Sequence, residues 1–103
     1  ARGASMTECN SIAEVRDNID RIDAALVALL AERGAYVREA ARLKPRKADV
    51  VDAARIAEVI AKALGHAESH GFDADVIEAI YRSMIEHFIA FEEREFDRIK
   101  GGG

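Results

Sequence analysis

The chain of 103 residues is long enough for one domain, and half of its residues are apolar, so it can bury a small core. Its formal net charge of -4 argues against a nucleic-acid-binding protein, which normally carries a basic surface. No apolar run approaches the roughly 20 residues that a membrane-spanning helix needs. We therefore expect neither a nucleic-acid partner nor a membrane partner.

One domain is predicted over residues 6–100. Residues 1–5 precede Met6 and are interpreted as an added leader outside the fold. Cys9 is the only cysteine, so no disulfide can form within the chain, and a reducing, cytoplasmic location fits this composition.

The first predicted helix begins at Ser11, which together with Glu14 has the spacing of a capping box. A stripe then recurs at alternating steps of four and three residues: Val15, Ile19, Ile22, Leu26, Leu29, Arg33, Tyr36, Ala40 and Leu43. This heptad spacing predicts a helix that packs lengthwise on another helix. Pro45 ends the helix at Lys44, because the residue before a proline is pushed out of the helical region.

The predicted length of this first helix bears on assembly. About 33 residues make a helix of about 50 Å, whereas a compact domain of this size has a radius of gyration of only about 13 Å. One protomer therefore cannot bury the whole stripe, and a homodimer is predicted.

Two further helices follow. The second is predicted to begin at the N-cap Asp52 and to end at Gly71, which suits the left-handed conformation that closes many helices. The third begins at Asp73 and ends with Arg98 and Lys100, cations that the helix dipole favours at that end. No strand pattern is present, so the predicted fold class is all-α.

Four charged residues occupy unusual places. Arg33 lies on the heptad stripe, and Lys44 follows 11 residues later on the same face, about 16 Å further along the axis. Arg55 falls in the first turn of the second helix, where the dipole disfavours a cation. Glu92 lies on the apolar face of the third helix. The three cations are explained either by solvent-facing side chains or by a binding site for an anion. Glu92 is explained either by a helix-end ion pair or by a carboxyl group that is buried among apolar residues.

Other polar residues give weaker signals. His66 and His70 have the spacing of two metal ligands on one helix face, but no third ligand is suitably spaced, so no metal site is predicted. The basic residues within 42–47 are not interleaved with aromatic residues and are interpreted as a solvated loop edge rather than a phosphate site.

The first helix also carries a family motif. From Val15 to Arg33 the chain reads V-R-D-N-I-D-R-I-D-A-A-L-V-A-L-L-A-E-R, which resembles the run R-x-x-I-D-x-I-D-x-x-[LIV]-x-x-L-L-x-x-R of the all-helical, type II bacterial chorismate mutases. The resemblance extends from Ser11 to about Phe96 and is close to the isochorismate pyruvate lyase branch. It implies three helices per protomer, an intertwined homodimer and a reaction without metal or cofactor.

The resemblance also implies which residues bind a small dicarboxylate substrate. Arg33 and Arg55 correspond to the arginines that hold the substrate carboxylates, and Arg16 to an arginine contributed by the opposite protomer. Asp52 matches an acidic residue near the ring hydroxyl.

Lys44 and Glu92 are the catalytic candidates that the resemblance implies. Lys44 corresponds to the lysine that reaches the ether oxygen of the enolpyruvyl group. Glu92 stands where many bacterial members have glutamine and others have glutamate. The pair then stabilises the charge that grows on the ether oxygen during a pericyclic rearrangement.

The activity predicted first is chorismate mutase, which forms prephenate in the shikimate pathway for aromatic amino acids. Isochorismate pyruvate lyase is the alternative, favoured by the ten residues between Lys44 and Arg55 and by the segment E-S-H-G-F-D-A-D. A non-catalytic helical dimerisation module is the alternative from another class.

Overall fold

The computed structural model describes residues 8–101, which form three α-helices and no strand. We number the helices α1 (Ile12–Leu43), α2 (Ala53–Ser69) and α3 (Ala74–Ile99). The predicted all-α class is confirmed. The proposed leader at residues 1–5 lies outside the described residues, and the single domain over 6–100 stays a prediction.

Helix α1 begins and ends where its local signals predict. The Ser11 hydroxyl accepts a hydrogen bond from the Glu14 N–H at 3.1 Å. The Glu14 carboxylate accepts from the Asn10 N–H at 3.0 Å, one residue earlier than in a standard capping box. At the other end the Lys44 N–H donates to the Ala40 carbonyl at 2.9 Å, and Pro45 then ends the helix.

A short 3₁₀ helix, Lys47–Val50, lies between α1 and α2 and was not predicted. Asp49 closes this turn, because its carboxylate accepts from the Arg46 backbone N–H at 3.2 Å and from the Arg46 guanidinium at 2.8 Å. Val50 is buried at the end of the turn. The segment is therefore an ordered structural element rather than a plain loop.

Asp52 and Asp73 determine where α2 and α3 begin, and Gly71 determines where α2 ends. The Asp52 carboxylate accepts from the Arg55 N–H at 3.1 Å, and Asp73 accepts from two N–H groups of the first turn of α3. Gly71 adopts a φ of 63°, which a residue with a β-carbon disfavours. The N–H groups of Gly71 and Phe72 donate back into α2, so a Schellman motif ends this helix.

The chain divides into two units between Arg33 and Gly34. In the first unit, large apolar side chains of α1 remain half exposed or more: Ile12, Ile19, Ile22, Leu26, Val27 and Leu29. Among residues 8–101, every buried residue belongs to the second unit, where α3 packs against α2 and against the 3₁₀ helix. None of the helices in this part of the chain is long and apolar enough to cross a membrane.

Candidate functional site

Lys44 and Glu92 form the central ion pair of the second unit. The Lys44 Nζ donates to the Glu92 Oε2 at 2.7 Å. The Glu92 side chain is 9% exposed, whereas that of Lys44 is 29% exposed. The Glu92 side chain is thus almost covered by protein, while part of the Lys44 side chain remains exposed.

Glu92 is buried because it shares a face of α3 with apolar residues. Ile85 and Phe96 are the other buried residues of this helix, seven residues before Glu92 and four after it, which places all three on one side. Within residues 8–101 no buried side-chain nitrogen or oxygen lacks a hydrogen-bond partner. Removal of the lysine from such a pair leaves a charge uncompensated in a largely apolar setting, which is costly.

Gly34, at the start of the second unit, lies on the face of α1 that packs against α3. A β-carbon at this position would lie 3.7 Å from Phe88 Cε1 and 3.8 Å from Phe91 Cε2, which is ordinary van der Waals contact. The two phenylalanine rings meet edge to face, with centroids 6.1 Å apart. Apolar packing therefore fixes α3 against α1 less than three turns before Lys44.

Asp52 and Arg55 are adjacent at the N-terminus of α2. The Asp52 side chain caps the helix, and this capping accounts for its position without a ligand. The Arg55 guanidinium bonds to Glu58 at 2.9 Å, and both side chains are at least half exposed. An exposed pair of this kind contributes little stability, so Arg55 can exchange Glu58 for a ligand carboxylate at small cost. That hydrogen bond, joined by one from Lys62, lowers the pKa of Glu58 below its ordinary value.

The basic residues between 42 and 47 each have an acidic partner. Arg42 bonds to Glu39, Lys44 to Glu92, Arg46 to Asp49 and Lys47 to Asp97. The hydrogen bond that Lys47 donates to Asp97 raises the pKa of Lys47 above its ordinary value. Because each of these cations is paired with an acidic residue, residues 42–47 form no concentrated positive patch that could bind a phosphate.

A second charged cluster joins the end of α1 to α3. Glu95 accepts hydrogen bonds from Arg38 and from Arg98, both at 2.8 Å. These bonds lower the pKa of Glu95, and the hydrogen bond that Arg98 donates to Glu95 raises the pKa of Arg98. Arg38 also lies over the Phe91 ring, 5.6 Å from its centroid. The cluster holds two helices together and lies on residues that the sequence did not single out.

Arg16 and Arg33 belong to the first unit. Arg16 is exposed on α1, and Arg33, at the last position of that unit, is partly exposed. The positions assigned to them at a substrate site therefore stay predictions.

The chemistry available in the second unit is donation of hydrogen bonds and positive charge to an anion. A lysine ammonium has three N–H donors, and only one is needed for Glu92. Residues 8–101 contain no group of three or more histidine, cysteine, aspartate or glutamate side chains that could hold a metal ion. The arrangement suits charge stabilisation at an oxygen atom of a bound ligand.

Comparison with known proteins identifies the family of this chain. The model of a family described as chorismate mutase type II matches residues 15–93, which include all six candidate site residues. The chain belongs to the type II chorismate mutase family. An isochorismate pyruvate lyase from Pseudomonas aeruginosa is similar to it, 31% identical over 94 residues that make up 91% of this chain and 93% of the relative. Membership in this family supports an enzymatic role.

Sequence reasoning did not find the residues that hold the segment after α1. The sequence predicts that Lys47 belongs to a solvated loop edge and that Lys100 is only a cation at a helix end. It assigns no role to Asp97. Their partners lie 50 or 58 residues away in the chain, at a distance over which no periodic pattern carries information. Charge complementarity between residues 42–47 and the end of α3 was the one available signal.

Proposed function

We propose that this protein is a chorismate mutase that converts chorismate to prephenate within aromatic amino-acid biosynthesis. The observation that carries the proposal is the Lys44–Glu92 pair, in which the ammonium of a partly exposed lysine lies 2.7 Å from the carboxyl group of a nearly covered glutamate. Family membership supports the same class of substrate, a cyclohexadiene with two carboxylates and an enolpyruvyl ether.

The pair acts on the ether oxygen of the substrate. During the rearrangement the C–O ether bond breaks as a C–C bond forms, and negative charge grows on the oxygen. The ammonium of Lys44 donates to this oxygen, which stabilises the transition state more than the ground state. Glu92 contributes a second donor only if it carries a proton when the substrate is bound, because an ionised carboxylate repels the oxygen.

Three arginines and one aspartate bind the substrate in this proposal. Arg33 and Arg55 hold the two carboxylates, and Asp52 lies near the ring hydroxyl. Arg16 comes from the second protomer. Fixing both carboxylates selects the folded conformer in which the two reacting carbon atoms are close, so part of the entropic barrier is removed before the chemical step.

A second copy of the chain is the proposed partner of α1. Ile19, Ile22, Leu26 and Leu29 follow the heptad spacing and are each at least half exposed in the single chain. Apolar residues in this spacing match another helix lying along them. The same association brings Arg16 of one protomer to the site of the other, so the proposed dimer is required for activity.

Isochorismate pyruvate lyase is the second candidate. The relative from Pseudomonas aeruginosa bears that name and aligns over nearly its whole length. The ten residues between Lys44 and Arg55 also suit that branch. A non-catalytic dimerisation module remains the candidate from another class, and it predicts no saturable binding of a dicarboxylate.

One experiment separates the three candidates. The purified protein is incubated with chorismate and with isochorismate in separate reactions, and prephenate, salicylate and pyruvate are measured. Prephenate from chorismate at the higher kcat/KM supports the mutase, and salicylate with equimolar pyruvate from isochorismate supports the lyase. An absence of all products, with no saturable binding of either compound, contradicts both enzymes.

A further inference from the structure

The segment after α1 carries the proposed catalytic lysine at its first position. We call residues 44–52 the Lys44 connector. Pro45 prevents a further helical turn, so α1 itself holds Lys44 through a single backbone bond, from its N–H to the Ala40 carbonyl. The last carbonyls of a helix have no partner within it, and those of α1 need donors from elsewhere. The position of Lys44 therefore depends on contacts outside α1.

Lys100 supplies one such contact. Its Nζ donates to the Arg42 carbonyl at 2.8 Å, two residues before Lys44. The same ammonium lies 5.4 Å from the centroid of the Phe96 ring, and Phe96 is buried. A cation that caps a helix C-terminus is electrostatically favourable, and the ring restricts where the ammonium can go.

Lys47 and Asp97 supply a second contact on the other side of Lys44. The Lys47 Nζ lies 2.7 Å from the Asp97 Oδ2, and each side chain is about half exposed. An exposed pair contributes little to the free energy of unfolding. Its main effect is therefore to hold the chain at Lys47 in a defined position next to α3. Val50, buried at the end of the 3₁₀ helix, fixes the rest of the connector.

Both contacts lead to the helix that carries Glu92. Glu92, Asp97 and Lys100 lie within the last part of α3 and its cap, over a length of about 12 Å. One helix thus holds the carboxyl partner of Lys44 and both attachments of the chain that flanks it. Asp97 and Lys100 lie beyond residue 93, where the family match ends.

We propose that Lys100 and the Lys47–Asp97 pair are positioning residues, which set the place of the Lys44 ammonium relative to Glu92 and the reacting oxygen. The catalytic consequence rests on the proposed function. Displacement of a reacting group by about 1 Å can lower a rate by about 100-fold. Loss of the Lys100 attachment is expected to lower kcat by about 10-fold, and loss of the exposed Lys47–Asp97 pair by less. KM should change much less than kcat, because the arginines that bind the carboxylates are untouched.

The test compares Lys100→Ala with Lys100→Arg and with the control Arg98→Ala, which removes a cation from the same helix end without touching the connector. Lys100→Ala should lose about 10-fold in kcat, while the other two retain it, since arginine also donates to a carbonyl and stacks on a ring. Amide hydrogen exchange of residues 44–52 should rise in Lys100→Ala alone.

The second contact is tested by a double-mutant cycle. Lys47→Ala and Asp97→Ala should each lower kcat by about 2- to 5-fold, and the double variant should lose no more than either one.

Two outcomes overturn the proposal while the parent is active. The first is that Lys100→Ala has the same kcat and the same hydrogen exchange as Arg98→Ala. The second is that Lys100→Ala has a lower melting temperature than the parent but an unchanged kcat, as expected of a purely structural contact. A parent that acts on neither chorismate nor isochorismate instead overturns the proposed function, and the catalytic role of Lys100 with it.

Discussion

Between residues 12 and 33, α1 leaves large apolar side chains half exposed, whereas residues 34–101 enclose a small core with an ion pair inside it. Leu26 is 50% exposed in the first unit, while Ile60 is 6% exposed in the second. The first unit has the surface of a helix that needs a partner, and the second unit encloses a small core while it also leaves Leu43, Phe72 and Ile80 more than half exposed. Assembly and catalysis are therefore expected to respond to different substitutions.

The largest effect is expected from Lys44, in the second unit. Lys44→Ala should lower kcat/KM by at least about 1,000-fold, because it removes a charged donor from the reacting oxygen. It also leaves Glu92 buried without its partner and can destabilise the fold, so Lys44→Gln is measured beside it. Glutamine keeps a donor for Glu92 but not the charge, and it should lose activity in a folded protein, as judged by circular dichroism.

Arg42→Ala is the matched control for Lys44. Arg42 lies two residues earlier, outside the Lys44 connector, and its exposed side chain pairs locally with Glu39. Its replacement should change kcat/KM by no more than about two-fold. Equal losses in the two variants would show that the segment, and not the Lys44 ammonium, limits the rate.

The next effect concerns the first unit. Leu26→Asp places a charge in the middle of the exposed stripe and should raise the dissociation constant of the dimer by at least about 100-fold. Ala24→Asp lies on the opposite side of α1 and is the control. Sedimentation measures both, and a folded monomer for the parent itself, or equal assembly of the two variants, contradicts a dimer built on this stripe.

Mixed dimers test whether Arg16 acts across the proposed dimer interface. Arg16→Ala and Arg33→Ala should each be nearly inactive, but an equimolar mixture should recover about a quarter of the parental activity after subunit exchange. Half of the dimers are then mixed, and one of the two sites in each has both arginines. Heterodimers that form without any recovery would mean that Arg16 does not act across the interface.

The sequence predicted the elements that local signals determine. Ser11, Asp52, Gly71 and Asp73 set helix ends through bonds within a few residues, and the structure begins all three helices and ends α2 next to these residues. The resemblance in α1 identified the family before any geometry was known. In the second unit it also named Lys44 and Glu92, which the structure brings into contact.

The contacts that hold the Lys44 connector could not be predicted in the same way. The 3₁₀ helix is closed by a hydrogen bond from Arg46 to Asp49, and an ordinary loop is the alternative conformation of this segment. Lys100 reaches Arg42 only after α3 has packed along the chain. A single sequence contains no periodicity for such pairs, because they are fixed by tertiary packing.

Glu92 is proposed to donate a hydrogen bond to the ether oxygen. Glu92→Gln keeps a neutral donor of nearly the same shape, so its kcat/KM should be at least equal to that of the parent. An inactive glutamine variant in a folded protein contradicts this role.

The smallest expected effect lies in the ion pairs that hold α3 to the end of α1. Hydrogen bonds from Arg98 and Arg38 lower the pKa of Glu95 in the folded protein. A carboxyl group with a lowered pKa stabilises the fold above its unfolded pKa, and this contribution is lost as the pH falls through the folded value. Glu95→Gln should therefore lower the melting temperature by at most a few degrees at neutral pH, and the difference from the parent should vanish in acid. Glu86→Gln, an exposed change on the same helix, serves as the control. If the difference in melting temperature between Glu95→Gln and the parent persists unchanged at low pH, Glu95 contributes packing and not charge.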